Sequence, residues 1–506
     1  MANAEPTTPT AAELDAAARG PGLAAGIGVV MVLLSTSMAV VSGVLLYRGD
    51  AGDPVQNTLP SGCAMVAVAE RPGVAQRLLA STAAPLPLPE AVTAWLGDLR
   101  AAATAWSLPV APGAALPRGL HAESPAGVCL RDGVRLWTLG HQAPGAEALL
   151  ADLAQGLGGG AWQAAQAVGG FVDYSLRAES EGAGAPARAA ALAGPERVQV
   201  LVGPPDPSAA LAALVPTLAE GSARNDLGVR SAFERVGAGA LQIFLDAATT
   251  KAHAVALKGL PPLRDFVARH AIWLGASLRD DLGDGRVHGH LHVGCEQVGA
   301  TALKQALDAG PPLATSAALR GAAAGATIRL QPETFAPHLA AMGQVGPLPA
   351  LSSSLARAGG PTLSALWPSL QGTFVLRVAR ASETAPAWWI AARLRSGALP
   401  PPCREGGGDA LGPSCGADAE WFVLAAGPNG ADAALQWLRQ HPGADPDASD
   451  DRARILDDSV GAFVDDPSAL PGVSLPRWQP LEVESIWLDT GLILHLAYDP
   501  RPAAAR

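Results

Sequence analysis

IWLGASLRDDLGDGRVHGHLHV, residues 272–293, is the stretch on which the fold turns. Two runs of alternating apolar residues flank Asp284-Gly285, a dipeptide suited to a tight turn, so the segment reads as an antiparallel hairpin. Its second run continues as HLHVGCEQVGATALKQALDAG, residues 290–310. After Val293 the apolar period changes from two to 3.6, and Gly310 stops the resulting helix. Upstream, ALQIFLDAATTKAHAVALKG from Ala240 reads as a strand that feeds a helix. The unit is therefore strand-helix-strand-strand-helix.

The same grammar recurs on both sides. RLWTLGHQAPGAEALLADLAQGLGG from Arg135, QVLVGPPDPSAALAALVPTLAEG from Gln199 and WFVLAAGPNGADAALQWLRQHPG from Trp421 each run from strand through turn to Ala-rich helix and end at Gly. AMVAVAERPGVAQRLLAS from Ala64 and ATIRLQPETFAPHLAAMG from Ala326 supply further strand-helix openings. Hairpins are expected at 127–139, with Asp132-Gly133 in the turn, and at 373–395. GGFVDYSL at Gly169 and GAFVDDPS at Gly461 look like a shared later segment. Helices joined to hairpins point to an α+β class, with antiparallel or mixed sheets covered by helices. Three tandem modules are expected, at 63–222, 223–310 and 326–498, with a tail at 499–506.

Ahead of the modules lies LAAGIGVVMVLLSTSMAVVSGVLLY, Leu23–Tyr47, without a charge. As a helix it is long enough to cross a hydrocarbon core of about 30 Å. The preceding residues, 1–22, carry Glu5, Glu13, Asp15 and one Arg19, which is not the basic start of a cleaved signal. The expectation is an uncleaved single-pass anchor in an inner (cytoplasmic) membrane, a linker at 48–62, and the bulk outside the cytoplasm. All five cysteines lie beyond the span.

A net charge of −11, with Lys only at 251, 258 and 304, excludes the basic grooves that nucleic acid requires. Abundant Ala, Gly, Pro and Arg match a high-GC bacterial coding bias. Cys403 and Cys415 bracket a Gly- and Pro-rich loop suited to a disulfide; Cys63 and Cys129 form a second candidate pair, and Cys295 is left over. No CxxC, HExxH, GxSxG, P-loop or Rossmann glycine fingerprint is present.

The sharpest constellation is His288, His290 and His292. Alternate positions on a strand share a face, so the three imidazoles project together and Val287, Leu291 and Val293 project the other way. One reading is the solvent face of an amphipathic strand. The other is a zinc site completed by a carboxylate across the turn, at Asp280, Asp281 or Asp284. Trp388-Trp389 places one ring on each strand face, one of them a candidate exposed contact. The Asp445–Asp451 run is an acidic loop that fails as an EF-hand.

The function expected is a non-enzymatic, membrane-anchored envelope protein that binds or scaffolds a protein partner, with no cofactor. The alternatives are a zinc-dependent hydrolase at the histidines and a carrier of an apolar envelope ligand. The oligomeric state is left open.

Overall fold

The structure, a computed structural model, describes residues 55–75, 117–121, 123–141, 145–168, 171–177, 188–214, 218, 221–254, 261–280, 286–307, 316–336, 348–380, 386–398, 402–403, 412–427, 429–443, 460–466, 481–488 and 491–498. The expected anchor at Leu23–Tyr47, the tails at 1–22 and 499–506 and the Asp445–Asp451 loop lie outside these residues. Among the described residues no helix is long and apolar enough to cross a membrane.

Strand β1 (Met65–Ala69) precedes the hairpin of β2 (Ala126–Arg131) and β3 (Val134–Gly140). Helix α1 (Ala146–Gly156), strands β4 (Ala161–Val168), β5 (Phe171–Arg177), β6 (Ala189–Ala193) and β7 (Arg197–Val202), and helix α2 (Pro207–Leu214) follow. Next come α3 (Leu227–Val236), β8 (Leu241–Asp246), α4 (Ala247–Ala254), α5 (Pro261–His270), β9 (Ala271–Arg279), β10 (Val287–Cys295) and α6 (Gln297–Leu307). The chain continues through β11 (Ala324–Arg329), α7 (Pro332–Phe335), α8 (Leu348–Arg357), α9 (Leu363–Leu366), β12 (Leu370–Val378) and β13 (Trp388–Leu394). It ends with β14 (Ser414–Ala417), β15 (Trp421–Ala425), α10 (Gly430–Gln440), β16 (Val460–Val464), β17 (Leu481–Leu488) and β18 (Gly491–Tyr498).

Among the described residues all eighteen strands belong to one sheet, and every pairing between them is antiparallel. Followed from neighbour to neighbour, the order is β4-β5-β6-β7-β3-β2-β1-β8-β9-β10-β18-β17-β16-β11-β12-β13-β15-β14. The architecture is α+β, an antiparallel sheet with helices packed on it. Asp132 and Gly133 both adopt positive φ (51° and 78°) in the two-residue β2–β3 turn, the geometry that suits the right-handed twist of a hairpin. Strands β1 and β8 pair back to back, so their hairpins extend in opposite directions as β3-β2-β1-β8-β9-β10. The look-alike segments at Gly169 and Gly461 occupy different places: β5 lies between β4 and β6, β16 between β11 and β17.

Both sheet faces are apolar, because strands covered on two sides lose the polar half of their alternation. Met65, Ala67, Ala69, Val128, Trp137, Val200, Ile243 and Leu245 pack with Leu149, Leu150 and Leu153 of α1. On the opposite face Val66, Val68, Phe244 and Trp273 pack with Val229, Ala232 and Phe233 of α3 and with Val55 and Leu59. The Cys63–Cys129 disulfide lies within that second cluster.

In the C-terminal part, α10 lays Ala434, Leu435 and Leu438 onto Val375, Trp389, Ala391, Val423 and Ala425. The other face carries Leu355, Leu366, Trp367, Leu370 and Leu424, with Cys415 of the Cys403–Cys415 disulfide against them. Burying each such Leu stabilises the fold by roughly 1.5–3 kcal/mol. Trp389 is fully buried, and Trp388 is half-buried against the α8–α9 cluster. Neither ring is the exposed contact expected of the Trp pair, since helices cover both faces of β13.

Candidate functional site

The histidines of β10 sit beneath a helix. Asp226 caps α3 by accepting from the backbone N–H of Gly228 (2.9 Å) and Val229 (3.3 Å), and Gly237 at φ 74° ends it. A helix leaves its last carbonyls without intrahelical donors. Those of Val236 and Gly237 point at the sheet. Gln242 of β8 donates to the Gly237 carbonyl at 2.8 Å. Ser277 of β9 donates to the Val236 carbonyl at 2.8 Å, and His290 Nδ1 of β10 donates to the same oxygen at 2.9 Å. The carbonyl fixes the tautomer of His290, with its proton on Nδ1.

These three residues belong to a transverse row. Gln242 pairs with Ser277, Ser277 with His290, His290 with His495 of β18, and His495 with Glu484 of β17. The row crosses five strands. Its last two members extend the polar contacts: His495 Nδ1 lies 3.5 Å from Glu484 Oε2, and His495 Nε2 lies 3.1 Å from His288 Nδ1. The ring centroids of His290 and His495 are 4.7 Å apart, edge to face. Glu484 is 1% exposed.

Alongside, Arg286 Nη1 donates to Glu482 at 2.7 Å and Nη2 to the Ala497 carbonyl at 3.2 Å. The polar groups therefore line the junction where β10 meets β18. Burial pushes His290 below the ordinary imidazole range, with the Val236 bond opposing and Arg279 and His288 adding to it. Burial likewise pushes His495 down, reinforced by His290 and His288 and opposed by Glu484.

The shared face expected of His288, His290 and His292 is present, but it is not a solvent face. His288 and His292 are 6% and 0% exposed. The reason is α3, which covers this part of the sheet. His288 and His290 both meet His495, and His290 also bonds the Val236 carbonyl, whereas His292 lies against Trp273 with ring centroids 4.7 Å apart, edge to face. Among the described residues no group of three or more His, Cys, Asp and Glu is arranged to hold a metal ion. Asp280, an expected carboxylate ligand, pairs instead with Arg71 at 3.4 Å; Asp281 and Asp284 lie outside the described residues. Cys295 is buried, and desolvation with Glu296 nearby pushes its thiol up to about 11, which leaves it unreactive.

A second feature is an open cleft of about 500 Å³ between Thr301, Lys304 and Gln305 of α6 and Gln331, Glu333 and Thr334. Glu333 is held below the ordinary carboxylate range by its backbone hydrogen bond and by Arg395, its ion-pair partner.

Sequence reasoning passed over α3, His495 and Glu484. The helix carried a legible signal: Asp226 before it, Gly237 after it, and Val229, Ala232, Phe233 and Val236 at helical spacing. His495 and Glu484 carried none, because their roles depend on the register of strands about two hundred residues from β10.

No protein-family model and no curated protein matches the chain. Among solved structures, three crystal forms of TP0453 show a faint likeness. Form I is 11% identical with a TM-score of 0.27, over 48% of this chain and 79% of that one. Form III is 10% identical with a TM-score of 0.28, over 50% and 86%. Form IV is 10% identical with a TM-score of 0.26, over 49% and 83%. Likenesses at this level carry no argument about fold or function.

Proposed function

We propose that this chain is a single-pass, membrane-tethered extracytoplasmic protein of a bacterial envelope, acting in binding or scaffolding rather than catalysis. The Cys63–Cys129 disulfide carries the reading: it joins the approach to β1 to β2 inside the core, and a second disulfide closes Cys403 to Cys415. Structural disulfides persist in oxidising compartments. The uncharged stretch Leu23–Tyr47 supplies the tether. The order of strand, helical segment and hairpin at β8–β10 and again at β11–β13 supports tandem copies of one ancestral unit. The buried histidines support a structural role, since their donors close a helix end and a strand junction. A zinc hydrolase at His288, His290 and His292 draws no support from the described residues, among which no group of three or more His, Cys, Asp and Glu is arranged to hold a metal ion. The apolar-carrier reading draws none from the cleft at α6, which is open to solvent and lined by Thr, Lys, Gln and Glu residues.

Topology tests the reading. In intact spheroplasts that make the full chain, added protease is expected to remove everything beyond the anchor and leave a short membrane-bound fragment. A chain that stays full length until the membrane is lysed overturns it, as does recovery of the full chain in the soluble fraction.

A further inference from the structure

We infer that the outer side of α3, with the turn before it, rests on the headgroup layer of the membrane that holds the tether: Leu227 reaches the apolar boundary, and Arg224 and Arg235 meet lipid phosphates. The inference deepens the tethered reading proposed above and rests on it.

Chain length sets the geometry. The body begins at the 3₁₀ turn Val55–Thr58, where Val55, with Leu59 just after the turn, is buried against Val229, Ala232 and Phe233 of α3. Backbone bonds fix the same approach: Ala223 N donates to the Leu59 carbonyl at 2.8 Å, and Ser61 N to that of Gly221 at 2.7 Å. Gly62 N then donates to Asp226, the residue that caps α3. Between the expected end of the span at Tyr47 and the body at Val55 stand seven residues, RGDAGDP, 48–54. Eight Cα steps reach at most about 28 Å. The sheet, with its strands about 4.8 Å apart, measures roughly 80 Å along the strand order. The chain enters it beside β1 and β2, well inside the edges at β4 and β14. So short a tether cannot carry the span round to the α1 face. The layer that holds α3 is the one brought to the bilayer.

Surface chemistry agrees. Helix α3 buries Val229, Ala232, Phe233 and Val236, so its outer side carries Leu227, Arg230, Ser231, Glu234 and Arg235 at helical spacing, all of them exposed. Leu227 is 77% exposed. One exposed Leu is ordinary on a soluble surface; this one follows Asp226, beside the incoming chain at Gly62. The nearby carboxylates are engaged, Glu234 with Arg230 at 2.7 Å and Asp226 as the cap, while Arg224 and Arg235 are exposed. A chain of net charge −11 therefore offers arginine, not carboxylate, on the side next to the tether. Arginine extends its guanidinium to phosphate while its stem lies along apolar surface, and a Leu beside it enters the acyl boundary. Such a contact is too small to recruit a free protein. Held by the tether, it forms at high effective concentration and needs little affinity of its own.

Contact quenching on the full chain, reconstituted into vesicles of phosphatidylcholine and phosphatidylglycerol with nitroxide-bearing headgroups, tests the placement. One dye goes on Ser231→Cys, on the outer side of α3, and another on Ala151→Cys, exposed on α1 across the sheet. Cys295 does not compete for the dye, being buried with its thiol pushed up to about 11. Headgroup quenching is expected at 231 and not at 151. Combining Arg224→Glu, Leu227→Gln and Arg235→Glu is expected to abolish quenching at 231 while the chain still floats with the vesicles. If that variant misfolds, high salt on the otherwise wild-type chain takes its place, with loss of quenching at 231 expected as the arginines are screened. Equal quenching at 231 and 151 in a chain that floats overturns the inference and leaves the tether standing, as does quenching at 231 that ignores the variant or, in its place, salt. A chain that does not float overturns the tether and the inference with it.

Discussion

Helices α3 and α10 bring opposite chemistry to the sheet positions they cover. Under α10 the strands present Val375, Trp389, Ala391 and Val423, and the helix answers with Ala434, Leu435 and Leu438. Under the end of α3 the strands present Gln242, Ser277 and His290. The difference lies in which part of the helix arrives. A helix side carries side chains and seeks apolar area; a helix end carries bare carbonyls and seeks donors. Alpha-3 does both, since Val229, Ala232 and Phe233 bury its side before its end reaches the polar row. Even the α10 patch keeps one cation, Arg377, buried with its guanidinium 4.4 Å from the Trp437 ring and donating to the Arg320 carbonyl.

The largest effect is expected where area dominates. Trp389→Ala should lower stability by about 3–5 kcal/mol, because a large buried ring leaves a cavity that its neighbours refill only in part. A denaturation midpoint measures it, and a loss below about 1 kcal/mol would show that α10 collapses freely onto the gap. Next comes the covalent tie on the α3 side. Replacing Cys63 and Cys129 together by Ser frees a loop of 66 residues, for which chain entropy gives a loss of about 4 kcal/mol. An unchanged midpoint would mean that the apolar cluster around Val66 and Phe244 holds the α3 side without the bond.

Gln242→Leu tests the polar side directly. It leaves the Gly237 carbonyl without its donor while adding apolar volume, so the expected cost is about 1–3 kcal/mol. If the variant matched or exceeded wild-type stability, the helix end would not need donors, and the contrast with α10 would fail.

How much of this the sequence disclosed depends on range. The Asp132-Gly133 turn and the passage from β10 into α6 were legible, because turn chemistry and a change of period act over a few residues. The common face of His288, His290 and His292 was legible too, as alternation alone dictates it. What covers that face was not. Its lid is α3, sixty residues earlier, and its neighbours are β18 and β17, two hundred residues later. The pairing register that sets His495 opposite His290 is a property of the assembled sheet.

The smallest effect is expected at Ser277. The Val236 carbonyl has two lone pairs and accepts from both Ser277 Oγ and His290 Nδ1. Ser277→Ala therefore leaves the oxygen satisfied and should cost about 1 kcal/mol or less, the net worth of one ordinary hydrogen bond. His290→Ala alone also leaves one donor in place. The double variant strips the carbonyl of both, so its loss should exceed the sum of the two single losses, and a double-mutant cycle reads the excess. Simple additivity would mean that the two donors do not substitute for each other, and that the row binds the helix end bond by bond rather than as a unit.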